Sequence, residues 1–178
     1  MKIGFSGAQS VGKTTLLNTL RLDEAFEDFI FCDEVTRRVK SYGLPINESG
    51  TDVTQRLIMQ EHIVNVFLND NIITDRTALD GLVYTNYLFV HQKVSMDTLK
   101  YAVHVFEKLI PHYDLLFYIK PEFKLEDDGI RSPNELFRDE IVSTFNDIIE
   151  VYKERLNLVY LSGTVSERIK TIKEHYVR

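Results

Sequence analysis

Gly7-Ala8-Gln9-Ser10-Val11-Gly12-Lys13-Thr14 decides how this chain is read. The short apolar stretch Ile3-Gly4-Phe5 precedes it, and a helical pattern through Leu20 follows at once. The spacing is G-x-x-x-x-G-K-[ST], a phosphate loop between a strand and a helix. In such a loop successive backbone N–H groups point inward and form a concave anion site. The positive end of the following helix adds to it. The glycines let the backbone turn and approach phosphate without a Cβ in the way. Lys13 can then reach the β and γ phosphates, and Thr14 can hold Mg²⁺. The expected nucleotide contacts are Gly7, Ser10, Val11, Gly12, Lys13, Thr14 and Thr15. The stretch thus implies a site for a nucleoside triphosphate with magnesium.

Working outward, five short apolar runs read as strands: Lys2–Ser6, Phe29–Asp33, Asn71–Asp75, Asp114–Ile119 and Leu158–Leu161. Each is nearly continuous in hydrophobicity, as strands covered on both faces should be. Helical patterns separate them. Asp52 with Gln55 reads as a capping pair for a helix whose apolar face holds Val53, Leu57, Val64 and Phe67. Ser95 can cap a helix running to about Leu109, closed by Pro111. Ser132-Pro133-Asn134-Glu135 sets a cap, a first-turn proline and a capping-box glutamate in order. Thr164 with Glu167 opens the last helix. Strands alternating with helices imply parallel pairing with right-handed crossovers, hence an α/β protein of three layers. With 178 residues and no repeat or linker, the chain reads as a single domain over 1–178, with a lid over about 122–138.

Composition narrows the possibilities. Hydrophobic residues make up 44%, enough for a full core, and the net charge of −6 argues against a broad grip on nucleic acid. No apolar run approaches the roughly 18 residues of a membrane span. Met1 leads directly into a core strand and leaves no room for a signal peptide. A single cysteine, Cys32, fits a reducing cytoplasm and reads as packed rather than reactive.

Among phosphate-loop proteins, a GTPase needs a guanine-reading N-K-x-D, which does not occur; Asn69-Asp70-Asn71 is the nearest cluster. A motor, helicase or AAA+ machine is ordinarily longer. A kinase fits the size and needs a carboxylate on the metal, an anchor or base for the acceptor hydroxyl, and positive charge over the moving phosphoryl group. The second strand runs into Asp33-Glu34-Val35-Thr36-Arg37-Arg38. A carboxylate at this end of a parallel strand faces the ligand crevice. Glu34 is the candidate to orient or deprotonate the acceptor, and Arg37 shares its face if a helix begins there. The third strand ends in Asp75-Arg76: Asp75 is placed for the magnesium shell, and Arg76 for the acceptor, a phosphate or a carboxylate. Its lack of a trailing glutamate weakens an ATP-hydrolysis reading. The charged segment Glu126–Arg138 suits a lid, with Arg131 and Arg138 as candidates to neutralise the transferred group.

These residues resemble the small P-loop nucleoside and nucleotide kinases of the thymidylate-kinase-like fold. Within them the chain looks most like the ribosylnicotinamide kinase domain of NadR-type proteins and their phage relatives. The resemblance rests on Gly7–Thr14, Glu34-x-x-Arg37, Asp75, and Asp128-Gly129-Ile130-Arg131. Asp75-Arg76 also resembles the aspartate–arginine pair of thymidylate and deoxynucleoside kinases. It implies a five-stranded sheet in the order 2-3-1-4-5, transfer of the γ-phosphoryl group from ATP to a nucleoside-like hydroxyl, and catalytic roles for Lys13, Glu34, Asp75 and Arg131. No adenylyltransferase domain precedes the kinase here, which leaves the acceptor open. Gln55, Arg56 and Gln60 on one helix, and Asp80, Tyr84 and Tyr87 on the next, are the candidates to read a base or ribose. Some phage relatives phosphorylate a hydroxymethylated pyrimidine in DNA, and Arg37, Arg38, Lys40 and Lys93 would then face the backbone. A small nucleoside, nucleotide or related molecule, accepting on a hydroxyl or a phosphate, ranks first, the DNA base second, and a nucleotide-dependent switch is the reading from another class. The turn Ser162-Gly163-Thr164 lies where such kinases hold adenine. The expected location is the cytoplasm, or the host's if phage-encoded.

Overall fold

The chain, described in a computed structural model over residues 1–121 and 134–176, builds one sheet from β1 (Lys2–Ser6), β2 (Ile30–Cys32), β3 (Ile72–Asp75), β4 (Leu115–Ile119) and β5 (Leu158–Leu161). The order across it is β2-β3-β1-β4-β5, and every neighbouring pair is parallel. Each parallel step demands a crossover, and the helices supply it: α1 (Lys13–Leu20), α2 (Val35–Ser41), α3 (Asp52–Leu68), α4 (Ala78–Val90), α5 (Met96–Leu109), α6 (Glu135–Tyr152) and α7 (Val165–Tyr176). This is the architecture and strand order expected from the sequence.

The central strands β1, β3 and β4 are buried almost throughout, because helices cover both faces. Phe5 and Phe117 stack across the β1–β4 pair with centroids 5.2 Å apart. Burying one such side chain is worth about 2 kcal/mol. The two edge strands differ from expectation. Ile30 on β2 is half exposed, and β5 is mostly part-buried, since an edge lacks one flanking neighbour.

The helix caps fall largely where the sequence puts them, with two corrections. Ser95 caps α5, and Thr164 with Glu167 forms a reciprocal box before α7. For α3 the cap is Thr51, boxed with Thr54; Asp52 instead accepts from the N–H and hydroxyl of Ser95 and ties two helix starts together. The buried face of α3 is also not the apolar one expected. Val53, Val64 and Phe67 are exposed, and the face turned inward holds Thr54, Gln55, Ile58, Met59, His62 and Val66. A polar site beneath α3 has overridden simple hydrophobic sorting. At α6 the cap is Asn134, whose side chain accepts from the Phe137 N–H. Most of the expected lid, Arg131 included, lies outside the described residues. Among the described residues no helix is long and apolar enough to cross a membrane.

Candidate active site

The order reversal on either side of β1 opens a crevice at the C-terminal ends of the strands. The phosphate loop sits there. Ser10 and Gly12 both take left-handed backbone, with φ of 58° and 84°, which turns successive N–H groups inward. Gly7 has φ 149°, and a Cβ there would lie 2.6 Å from the Ile119 carbonyl, so no other residue fits without displacement. The Lys13 ammonium donates to the carbonyls of Gly7 and Ala8 at 2.6 and 2.7 Å. Burial, then the nearby Arg76 charge, lowers its pKa to about 8. From α7, the buried Arg168 donates to the Val11 carbonyl at 2.8 Å and braces the loop from behind.

The donor set fits a magnesium nucleotide. Thr14 Oγ1 donates to Asp75 Oδ2 at 2.9 Å, so the hydroxyl and the carboxylate at the end of β3 already converge. Asp75 Oδ1 is buried and has no hydrogen-bond partner. Burial and the neighbouring Glu34 charge raise the Asp75 pKa. A hard cation prefers such oxygen ligands.

Beside this pair lies a buried ionic network. Arg76 Nε donates to Glu34 Oε1 at 2.5 Å, and its Nη1 reaches Asp80 Oδ1 at 3.3 Å and Tyr84 Oη at 3.4 Å. Arg37 Nε donates to Glu34 Oε2 at 3.2 Å. Arg76 has φ 75°, a conformation that costs a non-glycine residue about 1–3 kcal/mol. Its N–H to the Phe5 carbonyl, at 2.9 Å, and its two carboxylate partners hold it there. Burial alone would raise the Glu34 carboxyl; Arg76, Lys13 and Arg37 overcome that and hold it at about 2. Asp80 also accepts from the Gly7 N–H at 3.2 Å and the Thr77 N–H at 3.0 Å, linking α4 to the loop. Tyr84 Oη donates to Gln9 Oε1 at 3.1 Å. Arg76, Asp80 and Tyr84 of this network wall a narrow pocket of about 20 Å³ whose other side is Thr36, Gln55 and His62.

The structure therefore brings together Gly7, Ser10, Val11, Gly12, Lys13, Thr14, Glu34, Arg37, Asp75, Arg76 and Tyr84. Thr15 follows on α1 with its side chain exposed. Two expected residues lie elsewhere. Gln60 is exposed on the outer face of α3, because the helix turns Gln55, Met59 and His62 inward instead. Arg138 lines a separate open cleft with Pro121, Glu135 and Asp139, at the start of α6. Arg131 is outside the described residues. Arg38, part-exposed on α2, pairs with Glu61 at 3.1 Å. The sequence reading passed over Gln9, His62 and Arg168. Only Arg168 left a signal, a charge in the apolar stripe of Val165, Ile169 and Ile172.

A family described as AAA domain matches residues 2–168. The chain belongs to that family. No curated protein sequence matches the chain. Among solved structures, deoxyadenosine kinase from M. mycoides with products dCMP and a flexible dCDP bound is similar at TM-score 0.74, with 14% identity over 100% of both chains. The NadR protein in complex with NR is similar at TM-score 0.75 and 21% identity, over 99% of this chain and 51% of that one. NadR in complex with NAD and AMP-PNP gives TM-score 0.72 and 18% identity, over 99% of this chain and 49% of that one. The chain thus spans about half of NadR. At these identities the likeness is one of fold.

Proposed function

We propose that this AAA-family protein is a kinase, dependent on ATP and Mg²⁺, that transfers the γ-phosphoryl group to a hydroxyl of a nucleoside, nucleotide or related small molecule. What supports it is the Glu34–Arg76 ion pair, whose arginine lines a pocket and follows directly on Asp75 of the Thr14–Asp75 pair, so that an acceptor bound there would lie next to the phosphate loop. The neighbours support it through their printed ligands, which include a nucleotide product in one and AMP-PNP in another.

ATP would supply the phosphoryl group, and Mg²⁺, held by Thr14 and Asp75, would share its charge. Lys13 exchanges its loop carbonyls for phosphate oxygens. Glu34 accepts a hydrogen bond from the acceptor hydroxyl and aims it in line. The new bond runs from that oxygen to phosphorus as the bond to the ADP oxygen breaks. A carboxylate held at about 2 is a weak base. In a loose transition state the hydroxyl proton departs late, so orientation matters more than basicity. Arg37 and Arg76 keep Glu34 ionised, and Arg76 and Arg131 neutralise the moving charge. Arg138, beyond the pocket wall, has at most a role in the lid.

The test offers γ-labelled ATP with Mg²⁺ and a panel: nucleosides, deoxynucleoside monophosphates, nicotinamide riboside, and DNA with and without hydroxymethyluracil. Label on a small acceptor is expected. Label on DNA alone would move the acceptor to the modified base. Nucleotide binding with no label on any member would leave a nucleotide-dependent switch.

A further inference from the structure

Gln9 is the third residue of the phosphate loop and is 3% exposed. Its backbone is held on both sides: the Ala8 carbonyl accepts from Lys13 at 2.7 Å, and Ser10 takes left-handed backbone with φ 58°. Its side chain reaches across to α4, where Tyr84 lines the pocket with Arg76 and Asp80. Gln9 thus joins the loop to the wall of the pocket.

The direction of the hydrogen bonds fixes how its amide lies. Arg76 can only donate, and its Nη1 reaches Tyr84 Oη at 3.4 Å. Burial raises the Tyr84 pKa, so the phenol keeps its one proton near neutral pH. That proton goes to Gln9 Oε1 at 3.1 Å. The end of the amide turned to Tyr84 is therefore its oxygen, and the NH2 is the other end. Nε2 is buried and has no hydrogen-bond partner among the described residues. An unmatched buried donor costs about 1–3 kcal/mol, and methionine at this position would not carry that cost.

The chemistry of the NH2 is restricted. It gives two hydrogen bonds, carries no charge and has no proton to lose near neutral pH. Its complement is an oxygen rich in lone pairs. The loop around it forms a concave site for such oxygens, with Lys13 seated in it. A phosphoryl group that moves to an acceptor must lie on the side of the loop that faces the pocket. That is the side on which Gln9 meets Tyr84.

We propose that Gln9 is a further catalytic residue, whose side-chain NH2 donates to a non-bridging oxygen of the γ-phosphoryl group in bound ATP and during its transfer. This deepens the kinase reading and rests on it. Gln9 neither gains nor loses a proton in the step. The backbone N–H groups and Lys13 hold the triphosphate, and Gln9 adds a side-chain donor aimed by Arg76 through Tyr84.

The experiment compares wild type with Gln9→Glu, which keeps an oxygen for Tyr84 and removes the NH2, and Gln9→Met, which keeps the length and removes both polar ends. The acceptor is the panel member that wild type labels. The readings are kcat and the calorimetric dissociation constants of Mg·ADP and Mg·AMP-PNP, with melting temperature as the check on folding. In both variants kcat should fall about a hundredfold, the scale of one preorganised donor removed. Mg·ADP should bind within about twofold of wild type and Mg·AMP-PNP about tenfold more weakly, the scale of one lost hydrogen bond to a charged oxygen. A kcat within about threefold of wild type in Gln9→Glu would overturn the assignment and leave Gln9 a support for Tyr84. An unchanged ratio of the two dissociation constants would overturn it as well, because a distorted loop weakens both nucleotides alike. Should one variant fail to fold, the other decides by the same two readings. Should neither fold, a crystal structure of wild type with Mg·AMP-PNP decides, by whether Nε2 lies within hydrogen-bond distance of a γ-phosphate oxygen. No label from wild type on any acceptor removes the kinase reading and the catalytic role with it, whereas label with an unchanged ratio removes the role of Gln9 alone.

Discussion

The phosphate loop and the proposed acceptor wall meet at the C-terminal ends of the strands but are assembled in opposite ways. The loop is contiguous: Gly7 to Thr14 closes on itself, with Lys13 bonded to carbonyls five and six residues back. The wall is drawn from across the chain: Glu34 meets Arg76 across 42 residues, and Tyr84 meets Gln9 across 75. A contiguous site depends on backbone geometry that short-range sequence sets. A dispersed one depends on helices packing in register, and it stores its energy in buried ion pairs. Such pairs add little when intact but cost much when one partner is removed. Loss of a loop residue should therefore abolish chemistry and spare stability, and loss of a wall residue should damage both.

The largest effect expected is that of Lys13→Ala. Label transfer should fall by at least about a thousandfold, since Lys13 is the ammonium seated in the phosphate loop. The melting temperature should hold or rise, because a buried charge has gone. Activity within tenfold of wild type would dissolve the distinction between the regions. Next is Glu34→Gln, which strips Arg76 and Arg37 of their shared partner. A loss of about 3 kcal/mol is expected in denaturant unfolding, together with a lower kcat. Replacing Arg76 by Met in the same chain should restore stability but not activity. The sign with pH follows from the lowered carboxyl. The pair's stabilisation is full above the unfolded value of 4.5 and is lost as pH falls toward about 2.

Smaller again is the response of the loop to alkali. With Lys13 at about 8, Mg·ATP must bind a protonated ammonium that is progressively lost above that pH. Affinity should be flat below and fall by up to about tenfold per pH unit above, and calorimetry should show proton uptake. Stability of the nucleotide-free protein should move the other way. The unfolded lysine keeps its proton to 10.5, so raising pH from about 8 relieves a buried charge and stabilises the fold. Lys13→Arg should remove both trends. The smallest effect is that of Gln60→Ala, expected within about 0.5 kcal/mol of wild type and without change in acceptor KM, as for other exposed positions. A rise in KM would mean that the wall extends to the outer face of α3.

The parallel, three-layer architecture was legible because continuous apolar runs separated by capped helices leave few ways to pair; the strand order came only with the family resemblance. Glu34, Asp75 and Arg76 were legible for a related reason: a charge ending a buried strand has only the crevice to face. The face of α3 was not. Val53, Val64 and Phe67 are more apolar than Gln55 and His62, yet they are outside. Periodicity locates a helix but does not say whether its inner face meets a greasy core or a polar site.

From the sequence alone came the phosphate loop, the strand count and the carboxylates at strand ends, because each is written in a few adjacent residues whose backbone demands are local. Tertiary packing alone decided that Arg76 bridges Glu34 and Asp80 in a strained backbone, that Arg168 braces Val11 from the far end of the chain, and that His62 lies unmatched beneath Gly81. Contacts of that kind join residues tens of positions apart, and which of them face each other is fixed only when helices settle on the sheet and burial leaves charged and polar groups no water to turn to.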